Sequence, residues 1–394
     1  LDAGDLVGVR GKLGFTQKGE LTLWAEDVKL LAKAYAPPPE KWHGLADVEI
    51  RYRRRYVDLW ATDGVMNVFV KRSKILSVIR RFLEAQGYLE VETPTLHPIC
   101  GGATARPFTT HHNALDCDFF LRIAPELYLK RLIVGGLERV FEVSRNFRNE
   151  GISTRHNPEF TMIELYEAQA DYRRMMELSE QMLEAVTREV NGTTQVRFRG
   201  VDYELKAPFK RVGYIDMFRE HNGCEFDDEA AVRRRARELG LADPGSYWKL
   251  MNDVFEATCE KHLSGPVFVC DYPVQICPLA KQKPEDPRLA ERFELFIGGM
   301  ELGNAFTELN DPEEQERRFA EQVASKDPEA PGEVDYDYVN ALEYGMPPTG
   351  GLGIGIDRLV MVITGQDSIR DVLLFPALRP QLKSAAQALP GEGS

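Results

Sequence analysis

The 394-residue sequence has no apolar run of the length that crosses a bilayer, about 18 residues, so no membrane span is expected. Its six cysteines, at 100, 117, 224, 259, 270 and 277, include no pair at the close spacing of a zinc knuckle. We therefore expect no zinc, and read the scattered thiols as reduced and partly buried in a cytoplasmic protein. The first residue is Leu1 rather than Met, and no basic segment followed by an apolar one comes after it. We read that start as a truncation, not a signal peptide. Positive charge is in deficit, with a formal net charge of −13. A basic footprint is the usual mark of a nucleic-acid binder, so the bulk charge argues against one. Only the contact face has to be basic, however, and Arg51, Arg53, Arg54 and Arg55 form a local cluster. That cluster is either part of such a face or a salt-bridged helix surface. There is no internal repeat.

What is present is globular. Apolar residues make up 43% and charged residues 28%, at a length that fits two or three domains. Leu6, Val7, Val9 and Leu13, a Lys18-Gly19 turn, then Leu21, Leu23 and Val28 predict strands over residues 5–31. Two or three strands bury no core alone, so further strands are expected upstream. Pro37, Pro38 and Pro39 mark a stiff linker. From Leu59 the chain reads as one α+β region. Helical spacing covers Val70 to Ala85, closed by Gly87. Strands are expected at 89–93, 119–123 and 140–143, and a helix from Tyr172 to Val190. Residues 210–263 read as a mostly helical insertion, with polar helices at 281–293 and 312–324. The small, polar residues 385–394 read as a disordered tail.

Strands and helices are segregated rather than alternating, which points to an antiparallel sheet flanked by helices and away from a dinucleotide-binding fold. The glycines at 351, 353 and 355 lack the G-x-G-x-x-G spacing. Alone they would mark a strand where another element packs closely. They gain meaning from the Asp357-Arg358 pair and the apolar helix, Leu359 to Ile363, that follow. Glu294 and Glu301 flank Phe296-Ile297-Gly298-Gly299 and so lie on neighbouring strands, with hard oxygens suited to Mg²⁺. Glu164 stands two residues before Tyr166, on the same side of a strand.

Three stretches carry a specific resemblance. They are Gly87 to Pro94, then Phe147-Arg148-Asn149-Glu150 with Arg155-His156-Asn157-Pro158-Glu159-Phe160, and Gly350 to Arg358. In that order they resemble motifs 1, 2 and 3 of the class II aminoacyl-tRNA synthetases. The stretches Gly101 to Phe108, Ala124 to Lys130 and Glu301 to Glu308 resemble the bacterial lysyl type. Cys100, before the glycine pair, and Ala305 depart from the pattern without touching the expected site.

The resemblance implies a class II catalytic domain over 59–384 and, over 1–35, the last strands of an OB-fold anticodon-binding domain, with 36–58 as linker. It implies activation of L-lysine by ATP and transfer to the 3′-OH of the terminal adenosine of tRNA(Lys). Arg148 and Arg358 would be catalytic. Glu150, His156, Asn157, Phe160, Glu301 and Gly355 would join them around ATP, with Phe160 and Arg358 on the two faces of adenine. Gly102, Glu126, Glu164, Tyr166, Asn304, Phe306 and Glu308 would join Arg148 around lysine. Within that set, Glu126 takes the α-ammonium, in what reads as a strand, and Glu308 and Tyr166 take the ε-ammonium. Glu294 and Glu301 would hold Mg²⁺. A homodimer through motif 1 is implied as well. The alternatives are an aspartyl or asparaginyl enzyme, a synthetase-derived enzyme that lysylates a protein, and an inactive descendant.

Overall fold

A computed structural model describes residues 1–39, 45–325 and 331–381; the tail expected at 385–394 lies outside them. The chain divides into two compact units, Leu1–Val68 and Phe69–Ser394.

In the first unit, β1 (Leu6–Phe15) and β2 (Leu21–Ala32) form an antiparallel hairpin. Gly19 sits in its turn at φ +81°, a conformation that only a residue without Cβ adopts freely. Leu13, Phe15, Leu21, Trp24 and Leu31 all stay exposed on it. The basic cluster falls on the short helices Val48–Arg53 and Arg55–Ala61. Three of its four arginines are ion-paired locally, Arg51 and Arg55 to Asp58 and Arg53 to Glu49. The salt-bridged reading of the cluster is therefore the one that holds for those three.

The second unit is built on an eight-stranded sheet. Its strands are β3 (Leu89–Glu90), β7 (Arg139–Phe147), β8 (Glu159–Ala168), β11 (Lys210–Gly213), β12 (Val267–Cys270), β13 (Arg292–Ile297), β14 (Met300–Thr307) and β15 (Thr349–Gly355). Their order is β11-β12-β13-β14-β15-β8-β7-β3. The edge pairs β11–β12 and β7–β3 are parallel and every pair between them is antiparallel. A small sheet of β4 (Leu96–His97), β5 (Thr109–His112) and β6 (Cys117–Leu121) and the hairpin of β9 (Gln195–Phe198) with β10 (Val201–Glu204) lie outside it.

Helices cover the sheet. The first, Val65–Ala85, starts before the expected Val70 and buries Ile75, Val78, Ile79 and Leu83. Gly87, at φ +84°, ends it as predicted. Tyr172–Asn191 is capped by Asp171, which accepts from the N–H groups of Arg173 and Arg174, and stops at Gly192 with φ +74°. Met175 of that helix lies against Gly350, where a Cβ would come within 3.1 Å of its Cγ. Between 210 and 263 three helices (Tyr214–Asn222, Glu229–Glu238 and Tyr247–Thr258) follow edge strand β11. Their Tyr214, Phe218, Val254 and Phe255 share one core with Val267 and Phe296 of the sheet.

Two expectations fail. Residues 281–293 form no helix, because Pro284 and Pro287 remove its N–H donors. They run as an irregular segment bridged at Gln282–Ala290 before β13 begins. The stretch read as a strand around Glu126 is the helix Glu126–Val134. It starts directly after Pro125 and turns Leu127, Lys130 and Ile133 inward at helical spacing.

Candidate active site

Two rows running across the sheet supply the floor of the site. One row is Glu142, Glu164, Gly353, Asn304 and Glu294, taken from β7, β8, β15, β14 and β13. The next is Val140, Tyr166, Gly351, Phe306 and Arg292. Opposed residues share a face, and so do residues two apart on a strand. Polar side chains from four strands therefore converge over a glycine strand. A Cβ on Gly351 would overlap Glu308 Oε1 and lie 2.6 Å from Tyr166 Cε1. Glycine at 351 is what lets the Glu308 carboxylate fold down onto the sheet.

A cavity of about 400 Å³ opens over this floor. Every site residue inferred from the sequence lines it except Glu294. At one end is Arg148, just past the last residue of β7. Its backbone N–H donates to Pro158 O at 2.9 Å, closing the base of the loop between β7 and β8. Its guanidinium carbon lies 5.1 Å from the centroid of the Phe160 ring. Its Nε is buried without a partner, and it forms no ion pair among the described residues. The pairing with Glu150 that would make it a surface arginine is not formed. Burial lowers its pKa, opposed by the charges of Glu150 and Glu301. A buried cation left unsatisfied is costly unless an anion is to arrive.

Arg358 lies in the first turn of the helix Ile356–Thr364. Asp357, its neighbour, does not neutralise it. Asp357 is buried, ion-paired to Arg72 at 2.6 Å and accepting from Thr161 N at 2.8 Å. Arg358 instead donates to Glu301 O at 2.7 Å and Oε2 at 3.2 Å. Its Nη2 reaches His156 Nε2 at 3.2 Å, and His156 Nδ1 lies 2.9 Å from Ser153 Oγ. A guanidinium can only donate, so Nε2 accepts and Nδ1 carries the ring proton. Burial and the Arg358 charge push the His156 pKa down, which suits that neutral form. Asn157 bonds to backbone at both ends of its amide. Its Nδ2 donates to Glu159 O at 2.5 Å and its Oδ1 accepts from Ala377 N at 3.0 Å. It pins the base of the loop, with one N–H and one lone pair of its amide still available.

The hairpin between β13 and β14 turns on Gly298 and Gly299, both at positive φ (+62° and +65°). It sets Glu294 and Glu301 on adjacent strands, as expected. Glu294 accepts from Tyr272 Oη at 2.8 Å and from Arg292 Nη2 at 2.5 Å. Burial pushes its carboxyl up to about 7, with Arg292 opposing and Glu301 adding to the rise.

The other end of the cavity is acidic. Burial, reinforced by the charge of Glu126, pushes Glu164 up to about 8. The Tyr166 hydroxyl donates to Glu164 Oε2 at 3.1 Å. Gly102, at φ +86°, packs on Glu126, where a Cβ would sit 3.3 Å from Glu126 Cβ. Glu308 is buried, and its Oε1 has no partner. Asn304 Oδ1 accepts from Arg292 Nε at 3.1 Å.

Sequence reading passed over four residues that this geometry needs. Arg292 holds both Glu294 and Asn304, and Tyr272 holds Glu294. Arg122 donates to Glu142 at 2.7 Å and so closes the end of the first row. Lys130 lies between Glu126 and Glu308. The position of Arg292, two residues before Glu294 on one strand, was a usable signal, as was Lys130 four residues after Glu126 once that stretch is read as a helix; Tyr272 and Arg122 depend on tertiary contacts.

The profile of the tRNA synthetases class II (D, K and N) matches residues 47–379. The chain belongs to that family. Among its relatives, the lysine–tRNA ligase of Carboxydothermus hydrogenoformans is 54% identical over 388 residues, covering 97% of this chain and 80% of that protein. The lysine–tRNA ligase of Moorella thermoacetica is 56% identical, covering 97% of this chain and 79% of that one. That of Xanthomonas oryzae pv. oryzae is 55% identical, over 96% and 77%. Within the class II framework the three motifs acquire places. The helix Val65–Ala85 and β3 are motif 1, β7 with β8 and their loop motif 2, and β15 with the helix Ile356–Thr364 motif 3.

Proposed function

We infer that the protein is a lysine–tRNA ligase. It activates L-lysine with ATP to lysyl-adenylate and transfers the lysyl group to tRNA(Lys). The observation that carries this reading is the polarity of one cavity. A half-buried guanidinium with no ion pair and a buried, unbonded Nε, Arg148, stands at one end and an unpartnered buried carboxylate oxygen, Glu308 Oε1, at the other. Lysine has the matching form, a carboxylate separated from an ε-ammonium by its side chain.

In activation, a lysine carboxylate oxygen attacks the α-phosphorus of ATP and pyrophosphate leaves. Both reactants are anions, so positioning and charge neutralisation carry the catalysis. We assign Arg148 to bridge the carboxylate and the α-phosphate with its planar fork. Arg358 and His156 face the outer phosphates, and Phe160 offers a stacking face for adenine. Glu126 and Glu164 take the α-ammonium and Glu308 with Tyr166 the ε-ammonium. In the second step the terminal ribose 3′-OH of the tRNA attacks the carbonyl carbon of the adenylate, and AMP leaves. We place this chemistry in the cytoplasm. The N-terminal hairpin is assigned to the OB-fold that reads the anticodon, and among the described residues no helix is long and apolar enough to cross a membrane.

We assign Mg²⁺ to Glu301, which lines the cavity, and to Glu294, which lies outside it and would have to exchange its Arg292 or Tyr272 contact for the ion. The charge of Glu301 adds to the rise in the Glu294 carboxyl, and Glu256 and Glu260 add to the negative field there. A divalent cation bound with ATP relieves that repulsion and supplies charge neutralisation at the phosphates. An aspartyl or asparaginyl reading fits less well. Three carboxylates (Glu126, Glu164 and Glu308) face a single buried lysine at the far end, a balance that favours a cationic side chain.

Lysine-dependent exchange of pyrophosphate into ATP tests the proposal. Exchange is expected with L-lysine and not with aspartate or asparagine; exchange driven by either of those instead would overturn it.

We further propose a homodimer through motif 1. Val70, Leu89 and Leu96 lie exposed in that region, and β3 ends the sheet after only two residues. A two-fold contact would cover both the apolar side chains and the open sheet edge. Sedimentation at micromolar concentration should give a dimer. An active monomer under those conditions would exclude it.

A further inference from the structure

The proposed lysine pocket already holds a lysine of the protein itself. Lys130 is fully buried, 0% exposed, in the second turn of the helix Glu126–Val134. Its Nζ donates to Glu126 Oε1 at 2.5 Å and is ion-paired with Glu308 Oε2. It lies 5.2 Å from the centroid of the Phe306 ring. The two carboxylates it joins come from different elements. Glu126 heads the helix, and Glu308 follows the end of β14. Their other near neighbours are acidic or phenolic, namely Glu164, Tyr166 and Tyr338. Glu308 Oε1 stays unpartnered over Gly351, facing the cavity.

We propose that Lys130 is the positioning residue of the amino-acid pocket. It ties the carboxylate that receives the α-ammonium to the one that receives the ε-ammonium, and so fixes the pocket at the length of lysine. This rests on the lysine-ligase reading above. Three consequences follow from the geometry. Lys130 occupies one oxygen of Glu308 and leaves the other for the substrate. It supplies the counter-charge shared by Glu126 and Glu308, which would otherwise face each other as two buried carboxylates. It also anchors Glu308 to the rigid helix, so that a shorter diamino acid cannot draw the carboxylate inward to meet it. Lys130 is not among the residues lining the cavity, so its influence runs through Glu126 and Glu308.

The experiment compares wild type, Lys130→Met, Glu308→Gln and the double variant by pyrophosphate exchange, with lysine and with ornithine. Ornithine has one methylene fewer than lysine. Thermal melting checks folding throughout. Wild-type exchange with lysine is the control for the functional reading; its absence sinks that reading irrespective of the variants. With the control positive, Lys130→Met should raise the lysine KM on the order of a hundredfold or more, as expected for one partner lost from a buried charge pair. The ATP KM should stay within about threefold, and the preference for lysine over ornithine should shrink. A folded Lys130→Met with an unchanged lysine KM, or with equal rises for lysine and ATP, overturns the proposal. Should Lys130→Met not fold, the double variant decides, because it leaves Glu308 no uncompensated charge. Added to Glu308→Gln, Lys130→Met should change the lysine KM by less than about threefold, since the two residues act as one unit. A further rise of a hundredfold in that background would show that Lys130 acts through Glu126 without coupling it to Glu308, and the proposal would fall.

Discussion

Glu308→Gln is expected to raise the KM for lysine by a hundredfold or more while the KM for ATP moves little. The side chain is buried, 1% exposed, and its Oε1 has no partner within the protein. Burial pushes its carboxyl well above the usual range; Lys130 opposes the rise without cancelling it, and Glu126 and Glu164 add to it. The carboxylate thus depends on neighbouring cations to stay ionised. An ε-ammonium bound at Oε1 would be the second of these. The amide keeps the shape and removes the charge, so the ammonium would be buried against a neutral oxygen. Losing one partner of a buried ion pair costs on the order of 3–5 kcal/mol. At about 1.4 kcal/mol per tenfold, that is at least two decades of affinity. Gly351 rules out an easy repair, because its missing Cβ is the space the carboxylate fills and the backbone there cannot close in without striking Tyr166. The measurement is pyrophosphate exchange at varied lysine and varied ATP, with a melting curve to show that the fold survives. A parallel rise in both KM values would mean that Glu308 supports the sheet rather than the amino acid.

The contrast between Glu308 and Lys130 shows what the sequence discloses and where it stops. Glu308 and Tyr166 were legible because the stretches around them match a lysyl pattern, and the glycine strand because three alternate glycines precede an Asp-Arg pair. Strand and helix periodicity placed β7, the helix Tyr172–Asn191 and the charged helix Pro312–Ala324 within a few residues. The failures came where local pattern competes with context. Glu126 to Lys130 is too short and apolar a run to separate strand from helix by period. Once it was taken as a strand, the i,i+4 relation of Glu126 to Lys130 vanished with it. Residues 281–293 have the polarity of a surface helix, but two prolines outweigh polarity.

Other features are not local at all. The row Glu142, Glu164, Gly353, Asn304 and Glu294 draws on five strands spread over more than half of the chain. Register between distant strands is set by tertiary packing, and no spacing in one segment reveals it. For the same reason the ion pair of Arg72 with Asp357 was out of reach. It joins motif 1 to motif 3 and explains why Arg358 is free to turn toward Glu301. Asn157, placed at the nucleotide by resemblance, lines the cavity while its amide also holds the backbone of Glu159 and Ala377.

Arg148→Ala should slow adenylate formation by about two to three decades, the scale seen when a preorganised donor to developing charge is removed. Arg148 is placed for this by backbone rather than by side-chain partners. Its N–H is bonded to Pro158 O, and its guanidinium lies over Phe160 with Nε buried and unsatisfied. Folding has already desolvated the Nε of this cation, so an arriving anion loses less of its interaction to desolvation. The negative charge at the α-phosphate changes most as the carboxylate oxygen attaches, so the effect belongs in the rate more than in ATP binding. Arg148→Lys should recover little. An ammonium is a point charge and cannot hold a carboxylate and a phosphate oxygen at once in the way a planar fork does. Arg358→Ala should be milder, near a hundredfold, because Arg358 is already shared between Glu301 and His156 and part of its charge is committed. Single-turnover formation of lysyl-adenylate at saturating ATP and lysine separates these effects from binding. A near-normal rate in Arg148→Ala would remove it from the chemistry, and a lysine variant as fast as wild type would show that charge alone, without the bidentate grip, is what the site requires.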